Sequence, residues 1–172
     1  MERLDGRRKR VLRRAECRRR QGGLWQMSRG LLIDTHIWLW FAQPERRLKK
    51  PGREAIERAI AGGSLRISIM TVWEISQLDA LERIHLGAPI DEWLEKALTL
   101  PGLQCLPLEP ALIFDAHRLP GDFHRDPIDR LLVATARHHG LTLITEDRKI
   151  LDYARQGYVR ACSSGNKELL KP

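Results

Sequence analysis

The chain is poor in cysteine, with three in 172 residues. Cys17, Cys105 and Cys162 lie far apart and share no metal-ligand spacing. So sparse and odd a set argues against a disulfide scaffold and fits a reducing cytoplasm. No apolar run approaches the roughly 20 residues that cross a bilayer, so no membrane association is expected. The six histidines include no HExxH and no Cys/His ligand set, which argues against a zinc centre. After residue 29 there is no internal repeat and no low-complexity tract. A hydrophobic fraction of 42% is ordinary for a globular protein, and the length suits one domain.

An excess of one charge sign is also missing where it would matter. The formal net charge is +8. Of 30 basic and 22 acidic residues, eleven and three lie in residues 1–29, so the other 19 and 19 cancel. The part expected to fold is neutral, and its composition is no evidence for nucleic-acid binding. The segment "MERLDGRRKRVLRRAECRRRQGGLWQMSR" lacks the continuous apolar core of a secretory signal. It reads either as a basic arm that contacts RNA or as a mis-called start with Met27 as initiator. The second reading is favoured, because codons for Gln21-Gly22-Gly23 can form a purine-rich ribosome-binding run. The expected organisation is a basic extension over 1–29 (disordered or not native), a domain over 30–162 and a tail over 163–172.

Along the domain, short apolar runs alternate with helical patterns. "GLLID" (30–34) reads as a buried strand, and Thr35 can cap the short helix that Pro44 ends. "PGREAIERAIAGG" (51–63) is a helix with Pro first and Gly-Gly last. "LRISI" (65–69) is a strand, and helices follow over 70–84 and 89–100. "LQCLPL" is strand-like and "PALIFDAHRL" helical. "DPIDRLLVATARHHG" is a helix stopped by Gly140, followed by the strand "LTLIT" (141–145). A short helix and a weak strand, "YVRAC", close the pattern. Such alternation implies an α/β fold, a parallel sheet covered on both faces.

Function in open α/β sheets gathers at the carboxyl ends of strands. Four acids fall at such places: Asp34 after a strand, Glu74 early in a helix, Asp129 in a first helical turn and Asp147 after a strand. Asp126 is a possible fifth. Clustered carboxylates repel one another and are costly to bury without counter-charge. A hard divalent cation supplies that charge, and all-oxygen ligation suits Mg²⁺ or Mn²⁺. Each acid also has a plainer reading. Asp126 before Pro127 is a good N-cap, with Asp129 placed as in a capping box. Glu74 could be a solvated helix residue and Asp147 a cap. Thr35 and Thr145 could cap, turn the chain or hold metal-bound water. Arg125 and Arg130 could grip phosphate, or pair with the acids. His36 and His124 could line the site. Trp38, Trp40, Trp73 and Trp93 suit core or partner contacts, with 36–42 and 70–84 as exposed aromatic helices.

The motifs "LLIDTHIWLWF", "ISIMTVWEISQL", "HRDPIDRLLVATA" and "LTLITED" occur in that order. Together they resemble the PIN-domain nucleases, specifically the VapC-type toxins of bacterial toxin–antitoxin operons. The resemblance spans residues 30–162. It implies a three-layer α/β/α fold with a central parallel sheet. It also implies Mg²⁺- or Mn²⁺-dependent endoribonuclease activity on RNA, a VapB-like antitoxin partner, a homodimer and a cytoplasmic location. The family's four acids match Asp34, Glu74, Asp129 and Asp147, and the polar residue of its last motif matches Thr145. A catalytically silent PIN-like module and a DNase are the alternatives. A phosphatase with an aspartyl nucleophile at Asp34 is disfavoured, because His36 stands where a second Asp is needed.

Overall fold

The short apolar runs at the centre of the sheet become strands whose two faces are both buried. The computed structural model describes residues 30–43 and 47–170. In it, β1 (Leu31–Ile33), β2 (Leu65–Ser68), β3 (Leu103–Leu106), β4 (Thr142–Ile144) and β5 (Ala161–Cys162) form one sheet. All pairings are parallel, in the order β3-β2-β1-β4-β5. Leu31 stands opposite Leu65 on one side and Thr142 on the other. Parallel neighbours cannot be joined by a tight turn, so helices carry the connections. Among the described residues these are α1 (Thr35–Ala42), α2 (Lys50–Ala61), α3 (Ile69–Ala80), α4 (Ile90–Leu98), α5 (Pro110–His117), α6 (Pro127–His139) and α7 (Arg148–Arg155). None is long and apolar enough to cross a membrane.

Successive strand side chains alternate between faces. Leu32 and Leu143 pack with Leu132, Val133, Ile150 and Tyr153, so α6 and α7, joined by α5, cover one face. Ile33, Ile67 and Ile144 pack with Ile37, Ile56 and Ile75, and Trp93 closes over them, so α1 to α4 cover the other. The expected three-layer α/β/α arrangement is the observed one. Each fully buried Leu or Ile contributes about 1.5–3 kcal/mol, and this two-sided burial holds the strand ends in place.

Several local expectations change. Asp34, not Thr35, caps α1; its carboxylate accepts from the Thr35 N–H, and Thr35 is the first helical residue. Pro44, the expected stop of that helix, and residues 1–29 lie outside the described residues. Helix α3 ends at Ala80 rather than 84, where Glu82 takes a left-handed φ of 53° that no helix can continue. Gly140 stops α6 as expected, at φ 65°. Residues 163–170 are not a loose tail. Ser164 accepts from the Gly52 N–H at 2.7 Å, a 3₁₀ turn follows at Lys167–Leu170, and Leu169 packs on the core. Gly52 is required there, since a Cβ would lie 2.7 Å from that of Ser164.

Strand order reverses beside β1. The chain leaves β1 toward β2 and β3, then returns to β4 on the other flank. Such a switch point opens a crevice at the carboxyl ends of the strands.

Candidate functional site

Asp34 leaves the end of β1 directly into that crevice and is 8% exposed. One carboxylate oxygen accepts from the Thr35 N–H at 2.7 Å, the other from the Thr145 hydroxyl at 2.5 Å. Burial raises its pKa, and the Glu74 charge adds to the rise; the Thr145 hydrogen bond, His36 and the Thr35 N–H oppose it. Thr145 directly follows β4 and is fully buried, and its hydroxyl oxygen also accepts from the Asp147 N–H at 2.9 Å. One hydroxyl thus ties two acids from different strands. Thr35 ties a third, because its hydroxyl donates to Glu74 of α3 at 2.6 Å.

Asp147 caps α7, accepting from the N–H groups of Lys149 (2.8 Å) and Ile150 (3.0 Å). Asp126 caps α6, accepting from the Ile128 N–H at 3.0 Å. Their capping readings and their place at the site therefore coexist. Asp129 sits one step inside α6 and is half-buried. Its pKa is pushed up to about 7, by burial first, then by the charges of Asp126, Asp147, Asp34 and Glu74. That all four act on one carboxylate places the five acids in one neighbourhood. Three helix N-termini, those of α1, α6 and α7, converge there and offset part of the repulsion.

His124 joins this group from the loop before α6. Its Nε2 lies 3.2 Å from Asp129 Oδ2, yet makes no hydrogen bond of acceptable angle and is shielded from solvent. Ligand atoms of His124, Asp129 and Asp147 all lie within 4.8 Å of one another. Burial, with Lys149 next, lowers the imidazole pKa and favours the neutral ring, the form that binds metals. The loop is firmly held. Gly121 has φ 71°, and a Cβ there would meet the Tyr158 ring at 2.7 Å. Phe123 stacks on Tyr153 with ring centroids 4.6 Å apart.

Arg130 supplies the remaining restraint, and the donors it uses here go to backbone carbonyls. Its Nε donates to the Ala116 carbonyl (2.9 Å), and its Nη1 to those of Phe123 and His124 (3.0 Å each). A guanidinium offers donors in a fixed fork, and carbonyls of a turning loop match that fork well. Arg125 is exposed, beside the site but in no hydrogen bond or ion pair among those described. Sequence reasoning did not single out Glu146, whose Oε1 accepts from both N–H (2.9 Å) and hydroxyl (2.6 Å) of Ser164. That bond anchors the turn between Thr145 and Asp147 to the C-terminal segment. Its only signal in sequence was an acid beside Asp147.

The tryptophans divide. Trp38 is buried against Trp93, with centroids 5.5 Å apart, and Trp40 is half-buried, so α1 is not an exposed aromatic helix. Exposed apolar side chains lie on α3 (Ile69, Trp73), within the expected 70–84 segment for Trp73, and also on α5 (Ile113, Phe114). A cavity of about 990 Å³ opens beyond β5, lined in part by Arg137, Tyr158 and Arg160, and includes none of the site acids.

A model of the PIN domain matches residues 31–156. The chain is 32% identical over 120 residues to ribonuclease VapC22 of Mycobacterium tuberculosis, covering 70% of this chain and 88% of that protein. Among solved structures it resembles VapBC2 from Rickettsia felis, bound to a DNA fragment from its promoter. That match has a TM-score of 0.56 at 14% identity, over 77% of this chain and 97% of the other. FitAcB from Neisseria gonorrhoeae matches at a TM-score of 0.55 and 20% identity, over 78% and 97%.

Proposed function

The chain belongs to the PIN domain family, and from that premise we propose that it is a divalent-metal-dependent endoribonuclease, the toxin of a toxin–antitoxin pair. The observation that carries the reading is the convergence of Asp34, Glu74, Asp129 and Asp147 at the switch point of the sheet, from four separate elements. The likeness to ribonuclease VapC22 supports RNA as the substrate.

The residues present fit a hard cation. Asp129 is raised to about pKa 7 by burial and then by the neighbouring carboxylates, and the buried Nε2 of His124 has no hydrogen-bond partner among the described residues. Asp34, Asp129 and Asp147 would hold Mg²⁺ or Mn²⁺, with Glu74 and Asp126 beside them. A bound ion would activate water and neutralise the phosphodiester, so no protein nucleophile is needed. The chain's own residues do the positioning. Thr145 fixes Asp34 and the Asp147 turn, Thr35 fixes Glu74, and Arg130 fixes the loop that brings His124 to Asp129.

A small antitoxin is the proposed partner. It would cover exposed apolar surface such as that of α3 and present a basic side chain to the acids. A second copy of the chain would use similar surface on α5. The location that suits an RNA substrate is the cytoplasm. Purified protein should cleave RNA with Mg²⁺ or Mn²⁺, stop in EDTA, and lose cleavage in Asp34→Asn with its fold intact. Cleavage of DNA but not RNA, or full activity of Asp34→Asn, would overturn this reading.

A further inference from the structure

The chemistry expected of the four acids uses oxygen donors alone, and leaves His124 without a role. The geometry is hard to reconcile with an idle side chain. Its Nε2 is shut off from solvent, faces Asp129 Oδ2 at 3.2 Å and makes no hydrogen bond. The two groups could form an ion pair only with the ring protonated, and a buried ring nitrogen that makes no hydrogen bond is costly, which leaves it suited to a cation shared with Asp129. The ring is also held more firmly than a solvated histidine. It packs against the tilted Phe123 ring with centroids 4.3 Å apart, and Arg130 donates to the carbonyls of both residues. Asp129 and Asp147 each bring a carboxylate oxygen to the same point, within 4.8 Å of the imidazole nitrogen and of each other.

We propose that His124 supplies a nitrogen donor to the cation held by Asp129 and Asp147, and that this donor gives the site a preference for Mn²⁺ over Mg²⁺. The inference rests on the metal-dependent reading above and deepens it. Mg²⁺ takes oxygen ligands and dehydrates reluctantly. Imidazole favours transition ions, so one nitrogen among carboxylates shifts selectivity without changing the net charge of the site. His36 is another histidine near the acids, but it is exposed, acts on Asp34, and is not among the ligand atoms that gather at Asp129 and Asp147.

The test uses the full chain with MnCl₂ and MgCl₂. Electron spin-echo spectroscopy of bound Mn²⁺ should show modulation from an imidazole ¹⁴N, changing on ¹⁵N-histidine labelling. The modulation should vanish in His124→Ala and persist in His36→Ala. Calorimetric titration should show Mn²⁺ binding weakened about tenfold or more in His124→Ala, with Mg²⁺ binding changed far less. Where the alanine variant melts early in EDTA, His124→Gln keeps the side chain's bulk and should show the same loss of nitrogen signal. Bound Mn²⁺ without ¹⁴N modulation in the wild type, or equal weakening of both ions, overturns the proposal and leaves the nuclease reading standing. Failure of the wild type to bind Mn²⁺ at all overturns both.

Discussion

Replacing Asp129 by Asn should stabilise the metal-free protein, against the usual outcome for a residue in a first helical turn. The carboxyl has its pKa raised from 3.8 to about 7. At about 1.4 kcal/mol per tenfold change, forcing it to ionise costs the folded state up to about 4 kcal/mol. The side chain is 24% exposed, and water and salt screen part of that, so about 1–3 kcal/mol is expected. The sign follows from proton counting. Between pH 4 and 7 the folded protein holds a proton that the unfolded chain has lost, so stability falls as pH rises through that window. In EDTA at pH 8, Asp129→Asn should therefore melt about 2–12 °C higher than wild type, at roughly 2–4 °C per kcal/mol for this size. At pH 5 the gap should close. Excess Mn²⁺ at about 100 times its Kd should restore about 2.7 kcal/mol to the wild type and less to the variant. The assay is a set of melting curves of both proteins at three pH values, with EDTA or MnCl₂. If the variant melts lower than wild type at every pH and gains as much from MnCl₂, Asp129 serves the helix and not a metal.

Asp126→Ala should behave in the opposite way, losing about 0.5–2 kcal/mol in EDTA because its cap to the Ile128 N–H is gone; an unchanged Tm would show that the cap contributes nothing. Thr145→Val keeps the shape but removes the hydroxyl that binds both Asp34 and the Asp147 N–H. RNA cleavage should fall at least about tenfold while the far-ultraviolet dichroism is retained, and undiminished turnover would remove Thr145 from the positioning role. Arg130→Ala leaves the carbonyls of Ala116, Phe123 and His124 unpaired and should cost about 1–3 kcal/mol. If filter binding shows instead that RNA affinity drops and stability does not, Arg130 contacts phosphate after all.

Much of the fold was legible because its signals are local. A strand such as 31–33 is an apolar run bounded by a Gly and an acid, and α6 carries its start in Asp126-Pro127 and its stop in Gly140. Caps, proline and positive-φ glycine act over a few residues, so spacing alone reveals them. Asp34, Asp129 and Asp147 were legible for the same reason, since each sits where an element begins or ends, whereas Glu74 lies in the middle of α3. The boundaries that shifted did so through contacts of longer range. Residues 163–170 look like a tail until Ser164 meets Glu146 and Gly52, which are 18 and 112 positions away.

By itself, then, the sequence determined the alternation of strands and helices, the two-sided burial of the sheet and the placing of acids at strand and helix ends. Only the tertiary structure decided which partners those residues take. Thr35 turns from a cap into the donor to Glu74, 39 positions on, and Thr145 reaches back 111 positions to Asp34. Arg130 donates to the carbonyls of Ala116, Phe123 and His124, and His124 meets Asp129 with no hydrogen bond between them. The physical reason is the strand order. Placing β4 beside β1, with β2 and β3 on the far flank, brings together the ends of segments more than a hundred residues apart. Local propensity cannot encode that adjacency, because it follows from packing two helical layers on one parallel sheet.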